Sequence, residues 1–493
     1  MIFRFLKSHL IVLLLMLALA ASAQTLTILS SFSPGISGGA TNIDGAMPEA
    51  GLVLSSNMLF GTTSTSGTNT TGTLFAVNTN GTSFRLLHTF SATRFNSSAN
   101  RYTNIDGANS YAALALASNT LYGVASYGGT NGNGTIFSIN SDGSSFAVLY
   151  TFGSGVVSGG FLNNSNGANP QACLTVFSNT IYGTTSTGGT NGYGTVFAIS
   201  NNGTSFRILH SFKHSEGSYP AAGLVLSGNT LFGTTSGGNN FGPSIVFSIN
   251  TDGTGFTNLC NVTNVFGFPA LLGGLALSGN ILYGTAAQGG TNNPTTGTVF
   301  SINTNGTGFT NLYNFSALDP VYDKTNGDGS FPGGLILSSN TLFGTALGGG
   351  INGWGTIFEV NTNGSNFLCL YSFSPETYDP PLLSNTNSDG VDPNYGLVSL
   401  GYNLFGTCLG AGTNGNGTVF SLLTLPCINV QPQTSLIVTS GYPAVLTVSA
   451  SGPPPLVYQW QKNGTNLSNG GNISGSASNT LTIGVTSIAD AGN

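Results

Sequence analysis

The chain has 493 residues, of which 40% are hydrophobic, only 5% are charged and 73 are glycine. That length allows two or three domains, and hydrophobic residues recurring in strand-like order exclude a disordered chain. Nine Lys/Arg against fifteen Asp/Glu give a formal charge of −6, which excludes the clustered cations that nucleic-acid binding needs.

Arg4 and Lys7 precede an apolar run from Leu10 to Ala20, and Ala21-Ser22-Ala23 offers a small-x-small cleavage site before Gln24. This pattern predicts a secretory signal peptide over residues 1–23, with cleavage near Ala23. A transmembrane anchor is the alternative, but the run is short for a span. Its removal would take the formal charge from −6 to −8 and place the mature chain outside the cell or on its surface.

From there the chain repeats. Phe60-Gly61, Tyr122-Gly123, Tyr182-Gly183, Phe232-Gly233, Tyr283-Gly284, Phe343-Gly344 and Phe405-Gly406 sit in near copies of one stretch, Leu-Phe/Tyr-Gly-Thr in most of them. Successive glycines lie 62, 60, 50, 51, 60 and 62 residues apart. The third copy predicts four short antiparallel strands, within Ala172–Phe177, Thr180–Thr185, Gly194–Ile199 and Phe206–Phe212, split by Asn-Gly and Gly-Gly turns. Four strands at a period near fifty residues describe one propeller blade.

A second signature, Gly-Thr-x-Phe, ends at Phe75, Phe137, Phe197, Phe300, Phe358 and Phe420, with Ser244-Ile245-Val246-Phe247 as a variant. After Phe420 no fourth strand follows before Leu425-Pro426. The missing strand stands at the other end, where Thr25 to Phe32 resembles a fourth strand without a blade of its own. The expectation is an all-β, seven-bladed β-propeller over residues 24–425, closed by this N-terminal strand so that no sheet edge is left open. These repeats resemble the GloVer tandem-repeat family of exported bacterial proteins. The resemblance rests on the seven Phe/Tyr-Gly copies and the Gly-Thr-Val-Phe-type strands. It implies a propeller-like fold with C-terminal surface-attachment modules, and it carries no known catalytic residues.

From Pro426 the composition changes. Gly441, Leu446, Tyr458-Gln459-Trp460 and Leu481-Thr482-Ile483 fit an immunoglobulin-like sandwich over residues 426–493, with Trp460 as its buried tryptophan. Val448 stands where that family's first disulfide cysteine would be. The chain stops at Asn493, ahead of the tyrosine and the last two strands such a sandwich needs, so the domain reads as partial. The cysteines, Cys173, Cys260, Cys369, Cys408 and Cys427, show no C-x-x-C spacing and read mainly as small buried hydrophobes.

In a propeller, the blade-to-blade connections share a face with the loops between second and third strands. Those connections hold most of the acids: Asp44, Glu49, Asp106, Glu216, Asp319, Asp323, Asp328, Glu376, Asp379, Asp389 and Asp392. Five of them carry Asn-x-Asp/Asn-Gly, beginning at Asn42, Asn104, Asn164, Asn326 and Asn387. Such a motif forms an Asx turn, but Asn385-x-Asn387-x-Asp389 also matches the start of a calcium loop without its closing acid. Calcium on Asp44, Asp106, Asp328, Asn385, Asn387 and Asp389 is therefore the cofactor this pattern could take.

His88 and His210 recur at one place in a fourth strand and read as structural, and His214 with Glu216 reads as a solvated loop pair. Asp323 with Asp328, or Asp389 with Asp392, could meet across the channel as the paired carboxylates of a glycoside hydrolase or lyase. Trp354 and Tyr193 are candidates for stacking on a sugar ring. The leading expectation is a monomeric, non-catalytic binding or scaffold protein whose acidic loop face meets a polysaccharide or a surface protein. A carbohydrate-active enzyme and a rigid spacer are the alternatives.

Overall fold

The computed structural model describes residues 24–35, 41–158, 161–237, 243–262, 273–289, 296–319, 324–393, 396–424, 427–433, 436, 438–439, 441–451, 457–487 and 490. The predicted signal peptide, Asp323 and the Pro426 boundary lie outside them. Among the described residues no helix is long and apolar enough to cross a membrane. The chain divides into two compact units, the larger made of Leu26–Ser399 and Leu404–Leu422 and the smaller chiefly of Leu423–Asn493.

Among the described residues, the larger unit holds seven four-stranded antiparallel sheets. In the third, Thr175–Phe177, Thr180–Thr185, Thr195–Ser200 and Arg207–Ser211 pair in chain order. The seventh sheet takes Val398–Leu400, Asn403–Cys408 and Thr418–Leu423 from the end of the unit and Thr25–Ser31 from its beginning. The two sequence signatures turn out to be partners across one ladder. Gly61 pairs with Phe75, Gly123 with Phe137 and Gly233 with Phe247. The phenylalanine ring lies over its glycine so closely that a Cβ at Gly61 would stand 2.4 Å from Phe75 Cζ. The same gap is 2.5 Å at Gly233 and 2.6 Å at Gly406. Glycine in mid-strand weakens a strand by itself; here it makes room for a fully buried aromatic ring in each sheet.

Among the described residues, seven apolar clusters form the core, and each joins two consecutive sheets. Phe60 packs with Leu121 and Phe137, Tyr122 with Ile181 and Phe197, and Tyr182 with Leu231 and Phe247. The series continues through Phe232 with Phe300, Tyr283 with Phe358 and Phe343 with Phe420. It closes with Phe405 and Val419 of the seventh sheet against Leu59 and Phe75 of the first. Phe32, Phe90, Phe152, Phe212, Phe315 and Phe373, each just beyond a fourth strand, are fully buried; burying such a ring is worth about 2–3 kcal/mol. Polar links follow the same order. Thr184 donates to the Pro220 carbonyl at 2.7 Å, and Thr407 of the seventh sheet donates to the Ala50 carbonyl before the first at 2.9 Å.

Small residues precede the first strands or lie within them. A Cβ on Gly51 would stand 2.9 Å from the Gly396 carbonyl oxygen, and one on Gly334 would stand 3.1 Å from Gly396 Cα. The sixth, seventh and first sheets therefore approach one another backbone to backbone at this level. Among the described residues, three connections between sheets carry a two-stranded hairpin that the sequence pattern did not predict. These are Arg94–Asn96 with Arg101–Thr103, Val156–Ser158 with Phe161–Asn163, and Thr377–Asp379 with Ser384–Thr386.

In the smaller unit, Ala444–Thr447, Thr480–Ile483 and Ile473–Ser474 form one sheet, with Ala444 and Leu481 buried. Trp460 corrects its expectation in part. It is half-buried and precedes the short strand Gln461–Lys462, and its indole N–H donates to the Ser478 carbonyl at 2.8 Å. Cys173, Cys260, Cys369 and Cys408 are unpaired thiols.

Candidate functional site

The Asn-x-Asp/Asn-Gly motif lies in the middle or at the end of each long connection, and its asparagine ties three pieces of chain together. Asn104 donates to the carbonyls of Ser91 and Gly107, both at 2.7 Å. Its Oδ1 accepts the N–H of Gly107 at 2.9 Å and of Gly129 at 2.8 Å. Ser91 lies at the end of the fourth strand and Gly129 in the loop between second and third strands. One side chain thus pins the connection to both. Asn42, Asn164, Asn326 and Asn387 repeat the pattern on Gly67, Gly189, Gly350 and Gly412.

The acid two residues on caps the fourth strand. Asp106 accepts the Ser91 N–H on both oxygens at 3.1 Å and faces His88 Nε2 at 3.0 Å. Asp44 is held by Ser33, Asp328 by Tyr313 and Ser316, and Asp389 by Tyr371 and Ser374. Asp106, Asp328 and Asp389 are buried. Burial pushes the Asp106 pKa up, but the bonds from His88 and Ser91 outweigh it and leave the carboxyl below its usual value. Burial, then the facing carboxylates, push the Tyr313 and Tyr371 hydroxyls well up.

His88 and His210 belong to this device. Each stacks on a phenylalanine of the next sheet, Phe146 at 3.7 Å and Phe256 at 3.8 Å between ring centroids. Tyr150 and Tyr313 stack in the same way on Phe206 and Phe367. Glu216, in a short repeat, stands in for the missing aspartate, meeting His210 Nε2 at 3.1 Å. The signal was in the sequence: His or Tyr two residues before the buried fourth-strand phenylalanine, followed by an acid at the motif.

The candidate residues fall into separate places. Asn385 reaches back to Glu376 Oε1 at 2.8 Å from its hairpin strand, whereas Asn387 and Asp389 serve the staple and the cap. Asp328 and Asp389 occupy equivalent caps in different connections. Tyr193 lies edge-on to His214 at 5.6 Å, and its carbonyl accepts the Tyr219 N–H. Among the described residues no three His, Cys, Asp or Glu side chains gather as a metal set.

Two candidates do come together. The Asp392 N–H donates to the Trp354 carbonyl at 3.3 Å, and Lys324 Nζ lies 4.7 Å from the centre of the Trp354 ring. Burial, then the charge of Glu376, push the Asp392 carboxyl up to about 6, with Lys324 opposing. Lys324 and Glu376 were missed as partners because they lie on neighbouring connections.

The hairpins add apolar and aromatic surface to these connections. Phe95, Tyr102, Val156, Val157, Tyr378 and Leu383 are all more than half exposed. An open cleft of about 540 Å³ lies where the first hairpin meets the second sheet, between Arg101, Tyr102, Asn109 and Tyr127.

The immunoglobulin domain family matches residues 426–493. No curated protein matches the chain. Among solved structures, the oligogalacturonate lyase of Vibrio parahaemolyticus is similar at 9% identity, with a TM-score of 0.48, over 81% of this chain and 94% of that one. The nidogen/laminin complex gives a match at 14% identity and a TM-score of 0.37, over 62% and 91%. The computationally designed Ika8 protein gives 14% and 0.39, over 77% and 98%. The Gloeobacter/Verrucomicrobia repeat matches residues 18–162 and 157–328 in tandem, more than half of the chain, and the chain belongs to that family.

Proposed function

We propose that the mature chain is an exported, non-catalytic binding and scaffold protein. Its seven sheets are the blades of a closed propeller over residues 24–425, joined to an immunoglobulin-like module that spaces it from a surface. One observation carries this reading. The repeated acids are buried or half-buried and spent on the frame, while aromatic and apolar side chains of the inserted hairpins are left open on the same connections. Exposed aromatic rings beside polar donors suit a polysaccharide or a surface protein.

The donor set bears on calcium as well. Asp44, Asp106, Asp328 and Asp389 already accept N–H and O–H groups of the protein. A cation would have to displace these donors everywhere except at Asp389 Oδ1, which is buried without a hydrogen-bond partner, and we read the motif as a turn and cap. The test is co-sedimentation of residues 24–493 with a panel of insoluble polysaccharides, with and without EDTA, assaying the supernatant for released sugar. Retention that EDTA leaves unchanged, without sugar release, is expected. Loss of retention in EDTA would make the motif a metal site.

A second reading, a carbohydrate-active enzyme, is favoured by Asp392 alone. Its raised carboxyl beside Glu376 and Trp354 has the character of a general acid. Released sugar that disappears in Asp392→Asn would establish it.

A further inference from the structure

The cleft beside the first hairpin is assembled by a close approach. At Gly132, in the loop between second and third strands of the second sheet, a Cβ would stand 2.7 Å from Arg101 Cβ and 2.9 Å from the Tyr102 carbonyl oxygen. Gly132 has φ 73°, which glycine adopts without strain. The hairpin therefore lies directly on the loop and brings Arg101 and Tyr102 to Tyr127 and Asn109.

Both rings are open and braced. Tyr102 is 63% exposed and Tyr127 41% exposed. Phe95 meets Tyr102 edge-on at 5.5 Å, and Tyr111 meets Tyr127 edge-on at 6.4 Å. Rings fixed in this way lose little freedom when a ligand stacks on them.

Arg101 sets the chemistry. Arg85 donates to the carbonyls of Ser141 and Asp142, and Arg207 donates to those of Thr251 and Asp252. Among the described residues the Arg101 guanidinium has no hydrogen bond or ion pair. No carboxylate lines the cleft, and Asp106, close by in sequence, is turned to His88 and Ser91. A half-buried guanidinium offers a planar fork of donors that matches a carboxylate at two points. A cleft of about 540 Å³ is in the range that holds a small saccharide.

We propose that this cleft binds a uronate, a sugar ring bearing a carboxylate, with the carboxylate on Arg101 and the ring against Tyr127 or Tyr102. The proposal rests on the binding reading above and names its ligand class. Because the whole chain is acidic, attraction is local to Arg101 and is screened by salt.

The test titrates residues 24–493 with a uronic-acid trisaccharide and with a neutral glucose trisaccharide, by calorimetry at low and high salt. The uronate is expected to bind roughly tenfold or more tightly than the neutral sugar, and to weaken as salt rises. Arg101→Ala and Arg101→Gln should each cost that factor, Arg101→Lys should restore part of it, and Tyr127→Ala should weaken both sugars. Arg101→Gln keeps the side-chain stem, so an unchanged circular dichroism spectrum with lost affinity separates recognition from folding. Phe177→Ala, at an exposed ring ending the first strand of the third sheet, should change nothing. Equal binding of the two sugars, or uronate binding that survives Arg101→Gln, would overturn the proposal and leave the loop-face reading intact. Absence of binding to either sugar, with no retention on any polysaccharide, would remove both.

Discussion

Asp389 and Asp392 stand three residues apart on one connection and have opposite fates. Asp389 recurs as Asp44, Asp106 and Asp328, and in each repeat the frame supplies donors to it. Asp392 occupies a left-handed position, φ 57°, that the other repeats fill with Met47, Asn109, Asn169, Tyr219 and Phe331. The backbone there is uniform while the side chain changes. The frame has thus made no provision for a charge at Asp392, and burial leaves its carboxyl raised. Recurrence marks the acids that hold the fold, and departure from recurrence marks those free to do something else. Arg101 follows the same rule against the committed Arg85 and Arg207.

The strongest way to break the comparison is to remove a staple. Asn104→Ala deletes four hydrogen bonds and leaves buried backbone groups unpaired. It should destabilise the larger unit by about 3–4 kcal/mol, measured by urea unfolding. Gly233→Ala tests the frame from the apolar side, since its Cβ would stand 2.5 Å from Phe247 Cζ and 2.7 Å from Leu224 Cδ2. Overpacking of this kind should cost about 2–3 kcal/mol. A variant as stable as the parent would show that the ring does not need the glycine.

The cap acids give a smaller, pH-dependent effect. The folded pKa of Asp106 is depressed despite burial, through His88 and Ser91. Its contribution is therefore present above the ordinary carboxylate value of 3.8 and is lost as pH falls through the lower folded value. Asp106→Asn should cost about 1–2 kcal/mol at pH 7 and flatten part of the acid limb of a stability–pH curve. A parallel curve for variant and parent would deny Asp106 its capping role.

Much of this frame was legible in the sequence. The glycine and phenylalanine signatures, the Asn-Gly turns and the orphan N-terminal strand are local patterns repeated often enough to separate rule from accident. The pairing of Gly61 with Phe75 explains why the two signatures travel together. The candidate site was less legible. His88 and Asp106 are 18 residues apart, and Lys324 and Trp354 meet only because a connection between sheets lies against a loop between second and third strands. The hairpins escaped because Arg94–Thr103 lacks alternating apolar residues; its strands are fixed by pairing with each other and by contact with Gly132. Asn385, Asn387 and Asp389 show the limit of spacing arguments. Alternate residues share one face only in an extended segment, and here a strand end and a turn separate them.

The smallest effect is the most telling for the comparison. Asp392 has a folded value raised from 3.8 to about 6, first by burial and then by Glu376. A raised carboxyl has the opposite sign from Asp106. Its ionisation costs the fold, so stability is highest below about pH 4, declines as pH rises towards 6 and is flat above. Asp392→Asn removes the charge but keeps the shape. It should therefore stabilise the protein by about 1 kcal/mol at pH 7, allowing for solvent screening, and by nothing at pH 3.5. Thermal melts of parent and variant at the two pH values measure this directly. A variant less stable than the parent at pH 7 would mean that the Asp392 charge is held by partners as Asp106 is, and the distinction between the two acids would fall. A gain confined to neutral pH would show that the connection carries an acid at a cost to its own stability, the usual condition of a residue kept for a ligand.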